Sequence, residues 1–180
     1  MTTSINSKNK ILFKIAEKKK NQVLFLVFAS LSLLVMITIF LFSAQAAETS
    51  AELSGKVGSF VERVLSLLKW IFNDDAVLWI ITYLRKIAHF VLYAILGGFL
   101  LATFLNTKIQ KPYLKMIFAA MIALFYSITD EIHQLFIDGR SGQVSDVLLD
   151  FSGAICGIFI CLLIYKIIKH LTKDNKKSNS

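Results

Sequence analysis

Residues 147–165 read VLLDFSGAICGIFICLLIY, an apolar run with a single charge, Asp150. With its flanks it reaches the ~20 residues that cross about 30 Å of hydrocarbon. Gly153 and Gly157 are spaced as GxxxG, which lets helices approach closely in lipid. At ~100° per residue, Asp146, Asp150, Gly153 and Gly157 fall on a stripe about 60° wide. The carboxylates are therefore expected to face the bundle that the glycines pack against, since lipid offers a charge no partner.

Three further uncharged stretches run outward from this one: Val23 to Ala47, Ile87 to Thr107 and Met116 to Thr129. The 180 residues are 56% hydrophobic and 18% charged, against about 25% charged in soluble domains, and the mean hydropathy is +0.64. One Pro and eight Gly exclude collagen-like and low-complexity readings. The expectation is an all-α polytopic membrane protein with four transmembrane helices, at about 23–45, 85–106, 114–136 and 147–167. A basic N-terminus (1–22) and a basic tail (169–180) flank one membrane domain (23–168). Cys156 and Cys161 share one run, about 7.5 Å of helical rise apart, and do not readily bridge.

The net charge of +8 does not form a nucleic-acid face; it follows the topology. Lys8, Lys10, Lys14, Lys18, Lys19 and Lys20 precede the first span, Lys108, Lys111 and Lys115 lie between the second and third, and Lys166, Lys169, Lys173, Lys176 and Lys177 follow the fourth. Only Lys56, Arg63, Lys69, Arg85, Lys86 and Arg140 remain for the other side, along with ten of the twelve acids. The positive-inside rule then puts both termini in the cytoplasm. Ala44-Gln45-Ala46 resembles a signal-peptide cleavage site, but the preceding apolar run exceeds the usual 7 to 15 residues, so it is expected to stay as an anchor.

Between the first two spans, Val57, Phe60, Val61, Val64, Leu65, Leu68, Ile71 and Phe72 recur at helical spacing opposite Lys56, Ser59, Glu62, Arg63, Ser66 and Lys69. They predict an extracytoplasmic amphipathic helix, either an interfacial lid or a helix over the bundle's loops. Asp75 is a candidate N-cap. Residues 76–84 fit either an interfacial piece or the start of the second span.

Each of the last three spans carries one polar face. Arg85, His89 and Tyr93 lie within about 80°, with Lys86 at the edge; Tyr126, Asp130, His133 and Gln134 lie within about 100°, with Glu131 just outside. With Arg140, Asp146 and Asp150 they form an ionisable cluster near the outer ends. A structural ion-pair network would use one or two such groups, but many share this depth. Two His with several carboxylates could bind zinc, but no HExxH or other tight ligand spacing supports it, and no cofactor is called for. Ser43, Ser141, Ser145 and Ser152 stand in no nucleophile-elbow context.

These residues resemble the signature of VanZ-like membrane proteins: Arg85-Lys86-Ile87-Ala88-His89-Phe90 with Tyr93, Asp130-Glu131-Ile132-His133-Gln134-Leu135-Phe136 with Gly139-Arg140, and Asp146-Val147 with Asp150 and Gly153-Ala154. Phe42-Ser43-Ala44-Gln45, with Ser50 and Ser54, is similar to the Ser-Ser-Gln ending of the family's first helix, though the second Ser is missing. The resemblance covers roughly residues 35 to 168. It implies a bacterial membrane protein whose namesake raises resistance to the lipoglycopeptide teicoplanin.

The leading expectation is that the cluster binds or remodels a membrane lipid or a lipid-linked cell-wall precursor at the outer leaflet. Arg85, Lys86 and Arg140 would take phosphate, and Asp130, Glu131 and Gln134 would hold those cations; His89, Tyr93, His133, Asp146 and Asp150 complete the ligand-binding set. A glycopeptide antibiotic is a further candidate ligand. A metal-dependent membrane-embedded hydrolase or transferase, with His89, Asp130, Glu131 and His133 as candidate catalytic groups, is the alternative, and a structural partner of another envelope protein is the third. The charge division predicts that, in a Cys-less background, Cys probes at Ser59 and Gly142 react with an impermeant thiol reagent on intact cells, and probes at Thr107 and Ser178 do not. Labelling at Thr107 from outside would overturn the four-helix arrangement.

Overall fold

The computed structural model describes residues 2–44, 52, 55–60, 63–64, 74–138, 140 and 142–178; among these, side chains are described except for 2–14, 74–82 and 173–178. Four long helices are present: α1 (Thr2–Ser43), α2 (Asp74–Leu105), α3 (Pro112–Gln134) and α4 (Val144–Ser178). Among the described residues there is no strand. Ile15–Ser43, Tyr83–Leu105, Pro112–Gln134 and Val144–Thr172 are each long and apolar enough to cross a membrane, so the chain is a multi-pass membrane protein.

The exposed surface agrees with that reading. Leu26, Leu33 and Leu41 on α1, Val91 and Ile95 on α2, Phe125 and Ile132 on α3, and Phe159 and Leu163 on α4 all point outward. Water would not tolerate apolar surface of this extent, whereas lipid tails accept it. What remains inside is a compact centre of Val35, Ile39, Tyr93, Leu96, Leu100, Leu101, Ala119, Ala123, Ala154 and Ile158.

Small residues set the spacing of that centre, and α2 against α4 is the most extensive packing in the fold. A Cβ at Gly153 would run into the Phe90 carbonyl, one at Gly157 into the Ala94 carbonyl, and one at Gly97 into the Ala154 carbonyl. The GxxxG thus does what its spacing predicts, with Gly97 completing it from the facing helix. Backbone lies against backbone, and no rotamer change can relieve an added methyl.

The α2–α3 turn is closed by side chains. Asn106 Nδ2 donates to the Ala102 carbonyl at 2.8 Å, Thr107 Oγ1 to the Phe104 carbonyl at 2.7 Å, and Lys115 Nζ to the Leu105 carbonyl at 3.1 Å, satisfying the helix's last acceptors. Pro112 opens α3, where its missing N–H leaves no bond unmade. Four alternating crossings bring the end of α1, the start of α2, the end of α3 and the start of α4 to one end of the bundle.

Residues 76–84 are part of α2, which runs unbroken from Asp74, so they are continuous with the helix whose membrane-crossing stretch is Tyr83–Leu105. Asp75 accordingly sits inside the first turn and is not the cap. Of the expected amphipathic helix, 55–60 and 63–64 are helical, with Val57, Phe60 and Val64 exposed; its positions at 61–62 and 65–72 lie outside the described residues.

Gly157→Ala should therefore cost about 2 kcal/mol or more, the range of overpacked cores. Gly98→Ala, whose Cβ would meet the Gly157 carbonyl at an ordinary 3.5 Å, should be nearly neutral. Thermal unfolding of the two purified variants in detergent checks the contrast, and equal stability would refute the close crossing.

Candidate functional site

The site forms where the four helix ends meet. Its centre is the Gln134 side chain, buried in the last turn of α3. Gln134 Oε1 accepts from Arg85 at 3.2 Å and from Arg140 at 3.3 Å. On its other side, Nε2 donates to Asp130 Oδ2 and Glu131 Oε2, both at 3.4 Å, with Ser43 Oγ at 3.5 Å. The reverse orientation would set N–H against guanidinium on one side and oxygen against carboxylate on the other, so the network itself fixes the amide.

Local structure explains how these groups arrive. Beyond α3 the chain curls through successive turns, with Phe136 N–H donating to the His133 carbonyl, Ile137 to Gln134 and Arg140 to Ile137, so Arg140 returns over the helix end that carries Gln134. Arg140 also donates to the Phe42 carbonyl at 3.2 Å, meeting an unpaired acceptor at the end of α1. Ser43, the last residue of α1, is fully buried and donates to Asp130 Oδ2 at 2.9 Å. The Gln143 N–H, just before α4, donates to Glu131 Oε1 at 2.6 Å.

Charge is unevenly matched here. Lys86 pairs with Asp146 at 2.6 Å, and Asp146 in the first turn of α4 also suits the positive end of that helix. Arg85 and Arg140 make no ion pair among the described residues; their shared partner is a neutral amide, and Arg140 Nε is buried without a partner. Burial, and next the charge of Arg85, lower the Arg140 pKa to about 10, which leaves it charged at neutral pH. Asp130, Glu131 and Asp150 are buried, and His89 Nδ1 lies 3.5 Å from Asp150 Oδ2.

A cavity of about 300 Å³ opens among them, lined by Arg85, Lys86, His89, Glu131, Gln134, Arg140, Gln143, Asp146, Leu149 and Asp150. An apolar groove of about 320 Å³ runs on from it between α2 and α4, sharing Lys86, Asp146 and Leu149 and adding Tyr83, Ile87, Phe90 and Ser145.

Of the eleven residues expected at the site from sequence, eight line this cavity, and Tyr93, Asp130 and His133 do not. Asp130 lies beneath it beside Ser43. Tyr93 is fully buried within the bundle, its hydroxyl without a partner and its ring tilted against Tyr126 at 6.1 Å. His133 stacks on Phe40 of α1 at 4.6 Å. It shares that α1-facing flank with Tyr126, whose hydroxyl donates to the Met36 carbonyl. The expected single face of α3 is thus two: Ser127, Asp130, Glu131 and Gln134 turn inward, and Tyr126 and His133 turn to α1.

Sequence reasoning left three participants outside its set. Ser43 was signalled by its place at the end of the first apolar run. Gln143 acts through its backbone N–H and Leu149 through its position on α4, and neither has a signal in residue type. Gly139 and Ser141, which flank Arg140, lie outside the described residues.

A family model described as VanZ/LLP1 matches residues 28–165, most of the chain. No curated protein and no solved structure matches it.

Replacing Gln134 by Leu would remove one partner from each of two guanidiniums and two carboxylates at once. It should destabilise the protein by about 3 kcal/mol, since buried groups left unpaired cost more than lost hydrogen bonds contribute. Lys86→Met removes a pair with Lys86 nearly half exposed and should cost about 1 kcal/mol or less. Chemical or thermal unfolding of both variants gives the comparison; a greater loss in Lys86→Met would contradict the central place of Gln134.

Proposed function

Since this chain belongs to the VanZ/LLP1 family, we propose that it binds or remodels a phosphate-bearing lipid or lipid-linked envelope component at the outer leaflet of the bacterial cytoplasmic membrane. The observation that carries this reading is the pair of guanidiniums, Arg85 and Arg140, converging on one neutral oxygen with no carboxylate partner among the described residues. Two uncompensated forks beside an open cavity suit a phosphate, which arginine contacts with two donors at once.

The apolar groove favours a lipid over a free anion. Tyr83, Ile87, Phe90 and Leu149 line an apolar surface beside the pocket, over the same turns of α2 and α4, the juxtaposition needed when a charged headgroup and an acyl chain belong to one molecule. The pocket end is the outer one on this reading. Lys18, Lys19, Lys20, Lys108, Lys111 and Lys115 belong to the opposite end, which the positive-inside rule assigns to the cytoplasm together with both termini.

Occupancy or remodelling of such a lipid would change what a lipoglycopeptide meets at the cell surface. Teicoplanin resistance is therefore the phenotype proposed, with the antibiotic itself a second candidate ligand.

Arg140→Lys should weaken retention of an anionic phospholipid about fivefold although charge is kept, because the two-donor fork is lost. Arg140→Ala should weaken it further, and the wild-type salt dependence should be shallower than that of a surface patch. Native mass spectrometry of lipid retained by wild type and both variants across a salt series measures this. Equal retention in all three would exclude a headgroup role for Arg140.

A further inference from the structure

At the cavity wall, His89 from α2, Asp130 from α3 and Asp150 from α4 bring one ligand atom each to within 4.8 Å of one another. His89 Nδ1 and Asp150 Oδ2 are 3.5 Å apart, long for a hydrogen bond. That spacing is close to the edge of a tetrahedron with metal bonds of about 2.0–2.1 Å, which is about 3.3 Å.

Two features mark this cluster as more than a group of acids. Asp130 is 3% exposed and Asp150 2%, yet neither makes an ion pair with Lys or Arg among the described residues; Asp130 is held instead by the neutral Ser43 hydroxyl and Gln134 amide. Asp130 Oδ1 is also buried without any partner. Ser43 occupies Oδ2 and so turns the carboxylate, as groups behind metal ligands commonly do.

The geometry points to a divalent transition-metal site, zinc being the best fit, formed by His89, Asp130 and Asp150. One imidazole and two carboxylates match the donors zinc takes, and two negative charges match a divalent ion. Three protein ligands leave a fourth position open. His89 and Asp150 both line the cavity, so that position faces the pocket. Arg85 and Arg140 lie across Gln134 from the metal, and the site stands whether or not they hold a headgroup.

The test is zinc binding by the full chain in detergent after stripping with chelator, measured by elemental analysis after equilibrium dialysis against zinc alone. Wild type should retain about one zinc per chain. Asp130→Asn and His89→Gln should each bind at least tenfold more weakly, while Asp146→Asn, at the exposed pair with Lys86, should bind as wild type does. Circular dichroism establishes that each variant is folded. A second readout is added cobalt, which should give the visible absorption of a tetrahedral site in wild type and lose it in Asp130→Asn. No zinc on wild type, or zinc that all three variants hold equally, overturns the site. Arg140→Ala separates the two proposals, since it should keep zinc while losing lipid.

Discussion

The arrangement depends on one amide. Gln134 presents its oxygen to two cations and its nitrogen to buried acids, and so keeps apart groups that would otherwise collapse onto each other. Charges near the membrane boundary are costly unless paired, and direct pairing of Arg85 and Arg140 with Asp130 and Glu131 would be the simple answer. The structure does not adopt it. A neutral spacer leaves Arg85 and Arg140 on one side of the amide and Asp130 and Glu131 on the other, with neither guanidinium in an ion pair among the described residues.

That spacing in turn requires the helices to be held closely. Gly153 and Gly157 bring α4 against the α2 backbone at Phe90 and Ala94, immediately beside His89 and one turn from Asp150. Bulkier residues there would move the two helices apart and open the gap between the imidazole and the carboxylate. Packing and chemistry therefore share one stripe of α4: its small residues make the contact, and its carboxylates use the proximity.

How much of this could be read from sequence follows from the range of each interaction. The four spans were legible because each is a run of consecutive apolar residues, and the inward turn of Asp150 was legible because glycines on the same stripe mark the contact. The polar face of α3 was legible only in part. A helical wheel gives angles within α3 but not where α1 lies, so His133 was grouped with Asp130 although Phe40 draws it aside, and Glu131, which the wheel left at the edge, lines the cavity. Ser43 acts on Asp130, far along the chain, through a hydroxyl at a helix end, and Gln143 acts on Glu131 through a backbone N–H, neither of which a helical spacing encodes. The clustering of His89, Asp130 and Asp150 was hidden for the same reason, as three ligands on three helices form no sequence motif.

The account turns on whether Arg140 is held free of the acids for an external phosphate. Solid-state NMR on the protein in bilayers of anionic phospholipid can measure dipolar coupling from the Arg140 guanidinium nitrogens to lipid phosphorus and to carboxylate carbons. The account predicts strong coupling to phosphorus and weak coupling to the Asp130 and Glu131 carboxylates. Strong coupling to those carboxylates with none to phosphorus would contradict it.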